Sequence, residues 1–204
     1  MYTAIAGNIG SGKTTLTELL VKNYGWTAVY EQPDDNPYIA NFYDDMRRWS
    51  FNLQIYFLQK RYSHVISSWK TYKNIVQDRT IYEDAYIFAP NLHSMGLLST
   101  TDYETYISLF NLLNSLAPTP DLLIYLKASV PTLINLIAKR GRIYENSIRL
   151  DYITSLNKRY DDWFNSYKGR KIIVDVDNLN IIDSPADLGE VLQKIDAEFN
   201  SLFQ

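Results

Sequence analysis

Residues 7–14 read Gly7-Asn8-Ile9-Gly10-Ser11-Gly12-Lys13-Thr14 and satisfy the spacing G-x-x-x-x-G-K-[ST]. The flanks restrict the fold as much as the spacing does. A small-apolar run of strand length, Tyr2 to Ala6, precedes the motif, and a helical pattern, Thr15 to Tyr24, follows it. A strand, a glycine-rich turn and a helix start in direct succession let backbone N–H groups point inward around an anion, and the helix terminus adds favourable potential. In such a loop Lys13 reaches the β- and γ-phosphates of a nucleotide and the Thr14 hydroxyl holds Mg²⁺, so Gly7 through Thr15 are the expected phosphate contacts.

Four more runs match the first: Thr27 to Glu31, Asn74 to Asp78, Leu122 to Lys127 and Lys171 to Val176. None alternates apolar with polar residues, the pattern of strands covered on both faces. Helical patterns separate them, which predicts an α/β fold with a five-stranded parallel sheet between helix layers and right-handed crossovers. The clearest helix runs from Met46 to Lys70, where Phe51, Ile55, Leu58, Tyr62, Val65 and Trp69 form an apolar stripe read as core. Another starts after Ser129, a candidate N-cap with Pro131 in the first turn, and runs toward Lys139. Further helices are predicted over 102–116, 149–167 and 186–203. With 204 residues, and no linker or repeat, the chain is expected to form one domain.

Composition narrows the chemistry. A net charge of −3 argues against a nucleic-acid surface, which demands clustered cations. The absence of cysteine excludes disulfides, thiolate zinc sites and cysteine nucleophiles. No apolar run approaches the roughly 18–20 residues of a membrane span, residues 1–6 do not resemble a secretory signal, and a cytoplasmic location without membrane partners is expected.

The residues with chemical potential fall where strands end: Gly7, Glu31, Asp78 with Arg79, and Asp175 with Asp177. Open α/β sheets bind ligands at that edge. Glu31, in Val29-Tyr30-Glu31-Gln32-Pro33, stands where a carboxylate can take the proton of an attacking hydroxyl, or else is a solvated acid. Asp78 is a candidate partner of Mg²⁺, and Arg79 a candidate clamp on the transferred phosphoryl group or on Glu31. Gln54 and Arg61 share one face of the long helix, about 10 Å apart along its axis. Lys139 to Glu145 gathers three cations around Gly141, with Arg149 following, and reads either as a phosphoryl-transfer lid or as a solvated helix terminus.

Taken together, "GNIGSGKTTL", "YEQP", "RRWSFNLQIYFLQKR", "DRTIYEDAYIFA", "IYLKASVPTLINLIAKRGRIYE" and "IVDV" resemble, in order and spacing, the deoxyribonucleoside kinases. The resemblance spans residues 4 to about 178 and implies a P-loop kinase fold with a short arginine-rich lid at about 139–149. It implies ATP-dependent phosphorylation of a deoxyribonucleoside 5′-hydroxyl, with ATP and Mg²⁺ as cofactors. Glu31 then matches the general base, Arg79 the arginine beside it, Lys13 the catalytic lysine, and Thr14 with Asp78 the metal partners. Gln54 matches the residue that reads the nucleobase edge, Tyr43 and Glu145 the pair holding the sugar 3′-hydroxyl, and Phe88 a further nucleoside contact. Arg140 and Arg142 match lid arginines on the donor, and the loop at Asp177 to Asn180 passes the donor base.

Arg61 and Asp84 resemble the pair found in purine and cytosine kinases, which implies deoxyadenosine or deoxyguanosine first and deoxycytidine next. A paired Arg and Asp strands a buried polar group against thymine. Two positions depart from the pattern: Leu136 where some relatives carry another lid arginine, and Tyr144 where an acid is common. The resemblance also implies a homodimer and feedback inhibition by a deoxynucleoside triphosphate. Alternatives are a thymidylate kinase-like nucleoside monophosphate kinase, against which the acids at 31, 34, 35, 44 and 45 argue, and a non-catalytic ATP-binding regulator.

Overall fold

The computed structural model describes residues 1–31 and 33–201. Five parallel strands, β1 (Tyr2–Gly7), β2 (Thr27–Val29), β3 (Ile75–Asp78), β4 (Leu122–Lys127) and β5 (Lys171–Asp175), form one sheet in the order β2-β3-β1-β4-β5. The first strand is central, with Ile5 in register with Asp78 on one side and Gly7 with Leu126 on the other. Because the chain leaves this centre toward both edges, a crevice opens at the carboxyl end of β1.

Strand alternation explains the continuous apolar runs. Tyr2, Ala4 and Ala6 enter the core on one face, and Ile5 enters the core on the other; Leu123 and Tyr125 likewise oppose Leu122, Ile124 and Leu126. Helices α1 (Lys13–Tyr24) and α9 (Pro185–Asn200) close the second face with Leu16, Leu20, Val191, Ile195 and Phe199. The first face is closed by α3 (Met46–Thr71), α6 (Thr100–Asn114) and α8 (Leu150–Ser166). Helix α7 (Val130–Arg140) begins as expected, with the Ser129 side chain accepting from the Thr132 N–H.

Several sequence expectations are corrected. Strand β5 is not covered on both faces: it is an edge strand with one neighbour, and Ile173 is 42% exposed. Strand β2 ends at Val29, because its ladder with β3 stops at Val29–Gln77, so Glu31 lies two residues beyond the sheet. On α3 the buried positions are Ser50, Leu53, Gln54, Leu58, Arg61 and Val65, whereas Phe51, Ile55 and Tyr62 are half-buried and Trp69 is 51% exposed. That face is rotated from the apolar stripe because it borders a polar cavity. The predicted end of the last helix, at 202–203, lies outside the described residues.

Two helical segments were not expected. One is α2 (Ile39–Asp44); the other follows β3 as α4 (Ile81–Glu83), a π-helical turn over Asp84–Phe88 and α5 (Ala89–Ser94). The wide turn has a local cause. Pro90 has no N–H to offer the Tyr86 carbonyl and its ring crowds that oxygen, while the Ala89 N–H bonds five residues back to the Asp84 carbonyl. Turns of this kind re-aim side chains, and here Asp84 and Phe88 both face the crevice.

Candidate active site

The crevice is a cavity of about 630 Å³. The glycine loop (Ile9 to Thr15) lines one end, and α7 with the residues after it (Leu136, Lys139, Arg140, Arg142, Glu145) lines the rim. Gln54, Phe57, Arg61, Asp84 and Phe88 lie toward the other end, with Glu31, Asp78 and Arg79 also on the wall.

The glycine loop needs its glycines for space as well as for dihedral freedom. Gly10 has φ +85°, and a Cβ there would lie 2.7 Å from Ile137 Cγ1 and 3.1 Å from the Leu133 carbonyl. Lys13 is 7% exposed, and its Nζ donates to the Gly7 and Asn8 carbonyls at 2.9 Å each. Burial and the nearby Arg79 lower its pKa to about 7, against the pull of Asp78, Glu31 and Glu83. Gly7 and Asn8 do not line the cavity. Gly7 N–H donates to Glu83 Oε1 at 3.3 Å, and the Asn8 side chain donates to the Ile153 carbonyl and Asn157 Oδ1, fastening the loop to α8.

Thr14 Oγ1 donates to Asp78 Oδ2 at 2.6 Å, and the buried Asp78 Oδ1 has no partner. An adjacent hydroxyl and carboxylate with an unused oxygen, beside a phosphate-binding loop, is a donor set that fits Mg²⁺. Burial raises the pKa of Asp78 above the ordinary carboxylate value.

Glu31 meets two arginines. Its Oε1 accepts from Arg61 Nη2 at 2.6 Å and its Oε2 lies 3.3 Å from Arg79 Nε. Burial alone would raise its pKa, but Arg79, Arg61 and Lys13 together hold it at about 2. Arg79 has φ +68°, an uncommon conformation for a non-glycine residue. Its N–H bonds the Ile5 carbonyl at 3.0 Å, its Nη2 reaches the Gly7 carbonyl at 3.3 Å, and its guanidinium sits 4.5 Å from the Phe88 ring centroid. The chain accepts this strain where it turns from β3 toward the helix start.

At the far end Arg61 Nη1 pairs with Asp84 Oδ1, and the guanidinium lies 4.4 Å over Phe57. Burial pushes Asp84 up to about 6 against the pull of Arg61. Three buried polar atoms in this group have no partner: Gln54 Oε1, Arg61 Nε and Asp84 Oδ2. Unpaired buried polar atoms around an apolar wall mark where a polar ring makes hydrogen bonds. At the rim, Glu145 accepts from Arg140 Nη2 at 2.5 Å and Nε at 3.1 Å, and Arg142 Nη1 lies 3.7 Å away. Tyr43 stacks on Tyr144 at 5.8 Å, and burial, then Glu145, raises its pKa.

Two expected contacts lie elsewhere. The Asp177 carboxylate accepts from the Ser129 N–H and Oγ, capping the approach to α7, and Leu179 to Ile182 line the cavity in its place. Arg149 pairs with Asp151 on the surface and is not part of the cavity wall. Conversely, Glu83 was missed. Fully buried, it accepts from Thr80 N–H at 2.8 Å and Tyr160 Oη at 2.9 Å as well as from Gly7. The signal was present: Thr80-Ile81-Tyr82-Glu83 has the spacing of a capping box, and Thr80 and Glu83 cap each other.

A lysine-bearing anion loop, a Thr–Asp pair suited to a divalent cation and an acid beside a separate polar-lined pocket define a P-loop phosphotransferase. The sequence matches the deoxynucleoside kinase family model over residues 3–200, and the chain belongs to that family. It is 35% identical over 194 residues to the deoxyadenosine/deoxycytidine kinase of Bacillus subtilis, covering 94% of this chain and 89% of that protein. It is 38% identical over 201 residues to a deoxyguanosine kinase of Lactobacillus acidophilus, covering 94% and 87%. The fold is similar to a deoxyadenosine kinase from M. mycoides solved with products dCMP and dCDP, with TM-score 0.87, 32% identity, and 97% and 100% of the two chains covered. The enzyme is thus a nucleotide-binding kinase that phosphorylates the 5′-hydroxyl of deoxynucleosides, and the thymidylate kinase-like and regulator alternatives are set aside.

Proposed function

We propose that the donor is ATP, held by the loop from Ile9 to Thr15, and that Glu31 receives the 5′-hydroxyl proton of a deoxynucleoside whose base lies among Gln54, Phe57, Arg61, Asp84 and Phe88. The observation that carries this reading is the placement of Glu31 in one cavity with both Lys13 and the unpaired atoms of Gln54 and Asp84. The hydroxyl oxygen forms a bond to the γ-phosphorus, the bond to the β–γ bridging oxygen breaks, and the hydroxyl proton passes to Glu31. With a pKa of about 2, Glu31 orients the hydroxyl in the ground state and takes the proton late, as a loose transition state requires. Phosphate oxygens replace the Gly7 and Asn8 carbonyls as partners of Lys13, and Arg79 offsets charge at the transferred group. Thr14 and Asp78 would hold Mg²⁺, which neutralises charge across the β- and γ-phosphates.

The Arg61–Asp84 pair supports deoxyadenosine or deoxyguanosine as preferred substrates, with deoxycytidine next, in line with the names of the relatives. Tyr43 and Glu145 hold the sugar 3′-hydroxyl, and residues 139–149, with Arg140 and Arg142, form the lid. The extent of the family match supports one kinase domain. Exposed apolar residues Leu112 and Leu116, 61% and 65% exposed, support a homodimer, and the relative solved with bound dATP supports feedback by a deoxynucleoside triphosphate. The lack of cysteine suits a reducing cytoplasm, and among the described residues no helix is long and apolar enough to cross a membrane.

Steady-state turnover of a panel of deoxynucleosides with wild type and Glu31→Gln tests this. The variant should lose at least about a hundredfold in kcat while ATP binding persists. Unchanged kcat with the preferred nucleoside would refute the role of Glu31.

A further inference from the structure

Arg61 stands between two parts of the site with different tasks. Its Nη1 pairs with Asp84 in the nucleobase pocket and its Nη2 donates to Glu31 Oε1 at 2.6 Å. The guanidinium is 5% exposed and packed over Phe57, so it has little freedom to visit other partners. The other Glu31 oxygen is 3.3 Å from Arg79 Nε, a longer contact that does not complete a hydrogen bond from that nitrogen. Without a nucleoside, therefore, the oxygen covered by a full charge-assisted bond is held by the base-reading arginine. Arg61 Nε and Asp84 Oδ2, both buried and unpaired, are the atoms that a ring with adjacent acceptor and donor groups can engage.

We infer that Arg61 couples nucleobase occupancy to release of Glu31: a ring bound against Arg61 and Asp84 draws the guanidinium off Oε1 and leaves that oxygen for the 5′-hydroxyl. The inference rests on the proposed role of Glu31 as proton acceptor and adds a condition on when it acts. An acceptor with no base, water included, meets a Glu31 still covered by Arg61. Phosphoryl transfer then depends on the base through the positioning of Glu31 as well as through binding energy.

The test uses 1,2-dideoxyribose, the sugar with hydrogen in place of the base, as acceptor with ATP and Mg²⁺. Wild type is compared with Arg61→Met and with Arg61→Met combined with Asp84→Ala, the second because the single change leaves Asp84 buried and unpaired. Coupling predicts that kcat/KM for the bare sugar rises roughly tenfold or more in the variants, the equilibrium worth of one charge-assisted hydrogen bond, while kcat/KM for deoxyadenosine falls. An unchanged or lower bare-sugar rate in folded variants would overturn it, since an arginine that only reads the base does not affect an acceptor lacking one. If neither variant folds, free adenine added to wild type decides: it should accelerate phosphorylation of the bare sugar about tenfold on the same grounds, and absence of activation overturns the coupling. Glu31→Gln assayed alongside with deoxyadenosine separates the two ideas, because wild-type turnover there refutes the proton acceptor itself.

Discussion

Replacing Tyr160 by phenylalanine removes one hydroxyl from the centre of the polar network behind the glycine loop. Tyr160 and Glu83 are both fully buried, and the phenol donates to Glu83 Oε1 at 2.9 Å. The ring itself stays, stacked on Tyr125 at 5.9 Å and edge-on to Phe88 at 6.3 Å, so the change opens no large cavity. What is lost is one of three donors to a buried carboxylate, the others being Thr80 N–H at 2.8 Å and Gly7 N–H at 3.3 Å. A hydrogen bond to a charged group is worth about 1.5–3 kcal/mol. For a chain of this size each kcal/mol moves Tm by about 2–4 °C, so a fall of roughly 3–12 °C is expected in thermal unfolding followed by circular dichroism. Activity should fall as well, because the same carboxylate holds the first glycine of the loop and the turn that carries Arg79; a kcat reduction of roughly tenfold is expected from the lost alignment. In a Glu83→Gln background the same deletion should cost less, since its partner is then neutral. A Tyr160→Phe protein that melts within about 1 °C of wild type would refute the claim that this carboxylate anchors the loop.

Two further outcomes follow from the geometry. Gly10→Ala forces a Cβ to 2.7 Å from Ile137 at φ +85°, adding about 1–2 kcal/mol of backbone strain to the overlap, and should raise the KM for ATP by at least about tenfold. Gly12→Ala, at φ +89°, carries the same backbone strain but has no atom within 4 Å of the new Cβ, so it should do less by the cost of the overlap alone, and equal effects in a nucleotide titration would contradict the steric account. The second outcome concerns pH. Asp84, pushed to about 6 by burial, gains a proton as pH falls through 6 and stops accepting from an exocyclic amine. The KM for deoxyadenosine should rise about fivefold between pH 6 and 5, the loss of the ionised form of a group with this pKa, and Asp84→Asn should flatten that dependence. The same raised pKa means that the folded state binds more protons than the unfolded one between about pH 4 and 6. The contribution of Asp84 to stability is thus full below about pH 4 and lost as pH rises through 6, opposite in sign to the fall in affinity. A pH-independent KM would remove Asp84 from the base-reading set.

The parts of this enzyme that were legible from sequence are those whose determinants lie close together along the chain. The anion loop is fixed by eight consecutive residues and a helix start. The three inner strands, β1, β3 and β4, are runs that coverage on both faces explains, whereas β2 and β5 are only partly buried and were misread, because an edge position leaves no mark on so short a run. The turn at Asp84–Phe88 was not legible, since it needs Pro90 and the packing around it to select a wide turn over an ordinary one. Glu83 was overlooked because an acid in a first helical turn is usually solvated; only the approach of Gly7 and Tyr160, distant in sequence, makes it a buried anchor.

The misplaced stripe on α3 shows why sites resist pattern reading. Periodicity assumes that buried means apolar, and on this helix the buried positions include Ser50, Gln54 and Arg61. Ser50 spends its hydroxyl on the Met46 carbonyl, whereas Gln54 and Arg61 line the cavity, where the cations Lys13, Arg61 and Arg79 stand against the carboxylates of Glu31, Asp78 and Asp84, with Glu83 behind them. With all of them ionised, this interior group carries no positive surplus with which to meet a triphosphate. On the proposed reading, Mg²⁺ at Thr14 and Asp78 would offset part of the incoming charge, and Lys139, Arg140 and Arg142, which line the cavity, would supply the rest from the rim. Both arginines there are drawn to Glu145, so on that reading nucleotide binding would exchange the carboxylate for phosphate oxygens. The exchange keeps the net cost of moving the arginines small, because one charge-assisted contact replaces another of the same kind.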